Sequence, residues 1–221
     1  MTTEVEEKTV FKFTELSQRA KESAIGRYAM PDYDWWDDTI DAYKSDPDVK
    51  AKGYDIDEIC FSGFSSQGDG ACWKGRGFLK PWITTHRVAP EDAVKREILL
   101  ALIEEGWISS SAKITTAGRY SHSYTMSIDD IPQYTEDNDG DGLLAIEGLF
   151  KDARVGDLFD AIGGQAAIDA LEADILSACR ELADTIYKDL EDEYDGYFEE
   201  DAFADTAAVN EWEFDENGVL E

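Results

Sequence analysis

The chain has 221 residues, 43% of them hydrophobic and 12% aromatic, with 50 acidic against 20 basic side chains for a formal charge of −30. That apolar and aromatic mass suffices for a substantial core, and a disordered acidic chain would lack the rings. No run of about 18 apolar residues offers a membrane span, and so negative a chain is repelled by phosphate and by anionic lipid, which argues against direct nucleic-acid or membrane binding.

The N-terminal "MTTEVEEK" has no apolar stretch and does not read as a signal peptide. "TVFKF" (9–13) alternates as a short strand. "TELSQRAKESAIGRYAM" then places Leu16, Ala20, Ala24 and Tyr28 on one helical face, with Thr14 as the expected N-cap and Pro31 as the stop. In "DYDWWDDTIDAYKSD" (32–46), Trp36, Ile40 and Tyr43 recur at helical spacing beneath an acidic outer face. "YDIDEICFSGF" (54–64) and "ACWKGRGFL" (71–79) read as paired strands joined by a glycine-rich turn. "PEDAVKREILLALIEEGW" (90–107) is a helix opened by Pro90 and Glu91-Asp92 and closed at Gly106.

"AKITTAGRYSHSYTMSI" (112–128) predicts a hairpin about Ala117-Gly118, with Ile114, Tyr120, His122, Tyr124 and Met126 marking one alternating face. "DDIPQYTEDNDGDG" (129–142) is breaker-rich and reads as a loop. From Gly164 an apolar stripe of Ile168, Leu171, Ile175, Cys179, Leu182, Ile186, Leu190 and Tyr194 predicts one long helix interrupted by Gly196. A helix over 199–210 and a short strand with a turn in "EWEFDENGVLE" close the chain. Helices and antiparallel strands are grouped and not alternated, so the expected class is α+β: a small antiparallel sheet packed with several helices, one of them long, acidic and C-terminal. The expected organisation is an α+β core over 1–150 and an acidic helical arm over 151–221 that returns by a short strand, together forming one domain.

The charge is local. Residues 1–61 carry a net −7, residues 62–125 a net +2 and residues 126–221 a net −25. A halophile would spread acids over every segment. Eleven acids fall in one window: Glu181, Asp184, Asp189, Glu191, Asp192, Glu193, Asp195, Glu199, Glu200, Asp201 and Asp205, offset by Lys188 alone. On a helix this amounts to about one negative charge per 3.4 Å, near the phosphate spacing of a DNA strand. Like charges at helical spacing destabilise a helix, and solubility needs far fewer. Asp32, Asp34, Asp37, Asp38 and Asp41 form a second candidate patch.

Other sites are thinner. In "DNDGDG", Asp137, Asp139 and Asp141 match the first, third and fifth ligand positions of a calcium loop, but position twelve is Gly148, with Glu147 one residue early. An acidic turn is expected in place of a metal site, and no cofactor is implied. The histidines are His86 and His122, and no Walker, Rossmann, HExxH or GxSxG motif is present. An enzyme or ligand site lined by the 61–73 hairpin, with Gln67, Asp69, Cys72 and His122, stands as the second reading. Cys60, Cys72 and Cys179 have no metal spacing and are expected to be free thiols in a reducing cytosol.

"FSGFSSQGDGACW", preceded by "FTELSQRAKESAIGRY" and "DWWDD" and followed by "GRYSHSYTMSI", "IYKDLEDEYDGYF" and "NEWEFDENGVLE", resembles a family of bacteriophage-encoded acidic proteins. The resemblance implies a viral origin and the cytoplasm of an infected bacterial host. Some members carry antitoxin-like labels, so a partner that caps a basic toxin is a third reading. Phage proteins of this kind are often inhibitors of host defence nucleases, by analogy alone. The leading expectation is a non-enzymatic inhibitor, of anti-CRISPR or anti-restriction type, that presents a DNA-like acidic surface to a basic nucleic-acid-handling host protein or complex.

Overall fold

The computed structural model describes residues 9–85, 92–129, 131, 143–146 and 149–221. The fold is α+β, with a four-stranded antiparallel sheet and a long C-terminal helix. The chain forms two compact units, Thr39–Lys188 and the paired termini Met1–Asp38 with Asp189–Glu221. This division departs from the expected 1–150 and 151–221. The two ends of the chain pair with each other through Phe11 and Phe214, and most of the long helix belongs with the sheet.

In the sheet unit, β1 (Tyr54–Phe61) and β2 (Ala71–Phe78) form the expected hairpin, with Phe61 opposite Ala71 and Cys60 opposite Cys72. A bulge between Ile56 and Glu58 shifts their register. Gly75 sits against the bulged strand, and the Asp55 carbonyl occupies the place a Cβ would need. β3 (Ser111–Thr116) pairs with β2 and with β4 (Met126–Ile128), giving the order β1-β2-β3-β4. The second strand of that hairpin is therefore shorter than expected. Tyr120 and Tyr124 are exposed and lie outside it, because residues 123–125 form a 3₁₀ turn in which the Thr125 N–H donates to the His122 carbonyl at 2.9 Å. β5 (Leu143–Ile146) and β6 (Phe150–Arg154) form a separate two-stranded hairpin.

Helices close the core of this unit. α2 (Asp37–Ser45) leads into α3 (Pro47–Ala51), α4 (Leu79–Thr85) follows β2 directly, and α5 (Ala93–Glu104) buries Ile98, Leu99, Leu102 and Ile103. Asp92 caps α5 by accepting from Val94 N at 2.8 Å and Lys95 N at 3.3 Å; Pro90 and Glu91 lie outside the described residues. α6 (Val155–Ile162) ends at Gly163, and α7 (Gln165–Gly196) runs along the predicted stripe. Ile168, Leu171, Ile175, Cys179, Ile186 and Leu190 are all buried, while Leu182 and Tyr194 are half-buried. The indole N–H of fully buried Trp73 donates to the Cys179 carbonyl at 3.0 Å, tying β2 to α7. Burial of side chains as large as Trp73 and Trp82 contributes about 2–3 kcal/mol each.

In the terminal unit, α1 (Gln18–Tyr28) starts later than predicted. Its cap is Ser17, whose Oγ accepts from Ala20 N at 3.3 Å, and Thr14 lies in a preceding 3₁₀ turn. The expected 9–13 and C-terminal strands reduce to isolated bridges, Phe11 to Phe214 and Phe214 to Leu220. α8 (Glu200–Val209) completes a core of Phe13, Leu16, Ala20, Ala24, Phe203, Ala207 and Phe214. The Phe13 and Phe203 rings meet edge-on at 4.9 Å, a favoured aromatic geometry. Among the described residues no helix is long and apolar enough to cross a membrane.

Candidate functional site

Two segments distant in sequence meet in the terminal unit. After Pro31 the chain reads "DYDWWDD", alternating acids and rings, and turns tightly: Trp35 N donates to the Asp32 carbonyl at 3.3 Å and Asp37 N to the Asp34 carbonyl at 3.0 Å. Asp37 and Asp38 then occupy the first turn of α2, where the helix macrodipole favours carboxylates. The second segment is "EYDGYFEE". α7 ends at Gly196, and the N–H groups of Tyr197, Phe198 and Glu199 donate to the carbonyls of Tyr194, Asp195 and Gly196 at 3.0–3.2 Å before α8 begins. The predicted break at Gly196 is thus present, so the 181–205 acids occupy two helices and a turn.

Rings join the two segments. Trp35 lies 5.5 Å from Tyr194 and 6.5 Å from Tyr197, Tyr194 lies 5.2 Å from Phe198, and Trp36 bridges Trp35 at 5.7 Å to Tyr33 at 6.5 Å. Tyr33 is 93% exposed while the other rings are half-buried. Around them stand the predicted carboxylates. Burial raises the Tyr197 phenol above its usual range, and the negative charges of Asp32, Glu193, Asp38 and Asp34 raise it further. Helical spacing marks Trp36 and Tyr194 as packing residues and gives no signal for Tyr33, Trp35, Tyr197 or Phe198. The ring–acid alternation in both segments was the available signal.

Of the sixteen predicted acids, Asp32, Asp34, Asp37, Asp38, Asp189, Asp192, Asp195, Glu199, Asp201 and Asp205 are exposed in the terminal unit, and Glu191, Glu193 and Glu200 are half-buried there. Glu200 is engaged internally: its Oε1 accepts from Lys21 Nζ at 2.7 Å and its Oε2 from Gln18 at 3.3 Å, and the Lys21 hydrogen bond holds its carboxyl below the usual range. Asp41, Glu181 and Asp184 are exposed but belong to the sheet unit. Along α7 the 3.6-residue period sets Glu181, Asp184, Asp192 and Asp195 opposite the buried Cys179, Ala183, Ile186 and Leu190.

The 61–73 hairpin does meet His122, as the second reading required. A Cβ on Gly70 would stand 2.8 Å from the His122 ring. The polar groups of the loop are nevertheless spent on its own backbone. Asp69 Oδ2 accepts from Ser65 N at 3.0 Å and Ser66 N at 2.6 Å, and Ser62 Oγ accepts from Gly70 N at 3.1 Å. In the glycine-rich turn Gly68 takes φ +98°, whereas Gly70 is needed for its closeness to His122. Gln67 is exposed. Phe64 lies 5.4 Å from Tyr187 of α7, whose hydroxyl donates to the Gly63 carbonyl at 3.1 Å. His122 Nδ1 faces Tyr124 N and Ser123 Oγ, each at 3.3 Å. Burial pushes the Cys72 thiol up, the opposite of what a nucleophile needs, and burial with the Glu58 contact pushes Cys60 up to about 11. Cys60, Cys72 and Cys179 are free thiols.

His86 and the calcium-like Asp137, Asp139 and Asp141 lie outside the described residues. Among the described residues no group of three or more His, Cys, Asp or Glu side chains is placed to hold a metal ion.

An α+β protein with an acidic, ring-studded terminal unit is the class that this fold and surface define. The chain belongs to the family described as a domain of unknown function (DUF8835), whose model matches residues 35–200. No curated protein and no solved structure matches it.

Proposed function

We propose that this protein is a phage-encoded inhibitor that binds a basic nucleic-acid-handling protein of the bacterial host, presenting carboxylates where that protein expects phosphates. One observation carries the proposal: the acidic segments 32–38 and 191–200, some 150 residues apart in the chain, are brought together where Trp35 meets Tyr194 at 5.5 Å and Tyr197 at 6.5 Å. There the charges of Asp32, Glu193, Asp38 and Asp34 all raise the Tyr197 phenol. Clustering like charges costs folding free energy, and a surface that keeps so many is explained by the association it promotes. Such a field speeds encounter with a basic groove and makes binding fall steeply with salt.

The test is binding to a basic nuclease or CRISPR effector complex over a salt series, with wild type and with Glu191, Asp192 and Glu193 changed to Gln, Asn and Gln. Expected are an affinity that falls with salt and a shallower dependence in the triple variant. An affinity indifferent to salt, or inhibition unchanged in the variant, would refute the proposal.

A further inference from the structure

The charges of the terminal unit are interleaved with aromatic rings, and the rings narrow what the surface can accept. Tyr33 is 93% exposed and leans on Trp36 at 6.5 Å with the ring planes 50° apart. From Trp36 the rings continue through Trp35 to Tyr194, Tyr197 and Phe198. An exposed ring face is apolar yet carries the negative side of its quadrupole. Asp32, Asp34, Asp37 and Asp38, all exposed, lie within five residues of Tyr33. An apolar partner would strip water from those carboxylates without replacing its hydrogen bonds. A second copy of a chain at −30, or a nucleic acid, would set like charge against like. The occupant has to be a cation.

Cations differ in how they use such a surface. An ammonium is a compact, strongly hydrated point charge. A guanidinium is flat, weakly hydrated, stacks on ring faces and still directs its N–H groups in plane to carboxylates. The guanidinium can lie flat on a ring and donate in plane to a carboxylate at the same time, at a smaller cost in lost hydration than an ammonium. We propose, building on the acidic-surface function above, that the Tyr33–Trp36 ring face receives arginine side chains, so that the contacting segment of the partner is arginine-rich and not merely basic.

The experiment measures binding of full-length protein to fluorescent nona-arginine and nona-lysine peptides of equal charge at fixed ionic strength. Tyr33→Ala is the diagnostic variant, since so exposed a ring is not needed for folding, and Tyr33→Phe is its conservative control. Expected is a preference for nona-arginine of about fivefold. It should shrink severalfold in Tyr33→Ala with nona-lysine affinity unchanged, and persist in Tyr33→Phe. Equal affinity for the two peptides, or a preference untouched by Tyr33→Ala, overturns the arginine assignment while leaving the acidic-surface function standing. Binding of neither peptide overturns both.

Discussion

Tyr197 is the residue that reports on the acidic surface. Its phenol is neutral at ordinary pH, and burial plus the charges of Asp32, Glu193, Asp38 and Asp34 all oppose the phenolate. Its folded-state pKa therefore lies above the unfolded value of 10.0. The associated stability is intact below that pH and is lost as pH climbs through the folded value. In ring-labelled protein, the Tyr197 resonance should titrate above 10.0 and move back toward it in Asp34→Asn/Asp38→Asn. Titration at the ordinary value in the wild type would show that the carboxylates do not gather there. Asp69 makes a second test at this scale. It accepts two backbone N–H groups in the hairpin turn, so Asp69→Ala should cost about 1–2 kcal/mol in denaturant unfolding and Asp69→Asn, which keeps an acceptor oxygen, should cost less. No loss in Asp69→Ala would release the carboxylate from its structural role and reopen the loop as a site.

At the scale of elements, the end of α8 is the strained place. Glu211 has φ +56°, with its N–H on the Ala208 carbonyl and that of Trp212 on the Ala207 carbonyl. These are the two bonds of a Schellman ending, in which glycine usually holds the left-handed position. Glu211→Gly should raise stability by about 1 kcal/mol, because the left-handed conformation costs an L-residue roughly that much; a measured loss would mean that the Glu211 side chain contributes packing. Elements were also where local pattern served best. The stripe from Ile168 to Leu190 is buried along α7, and the strands on either side of "SGFSSQGDG" pair as hydrophobic alternation and turn glycines required. The same alternation misplaced Tyr120, His122 and Tyr124, because a 3₁₀ turn at 123–125 interrupts it, and side-chain periodicity does not register a turn that keeps similar residues in place.

For the whole molecule, the net charge of −30 sets the response to salt. Self-repulsion at that charge opposes the compact state, and added salt shortens its reach from about 10 Å at 0.1 M. The melting temperature should rise from low salt toward about 0.5 M and then level off. A fall over that range would mean that ion pairs such as Lys21–Glu200 outweigh the repulsion. The α+β class, the long helix, the hairpin and the concentration of charge in residues 126–221 were determined by the sequence itself, because periodicity, turn residues and charge are properties of neighbours along the chain. The tertiary structure alone decided that Phe11 pairs with Phe214, that Trp35 meets Tyr194 and Tyr197, and that Gly70 stands against His122. Each joins positions about 50 to 200 residues apart, and contacts over such separations depend on how whole elements fill space together, which no local spacing encodes.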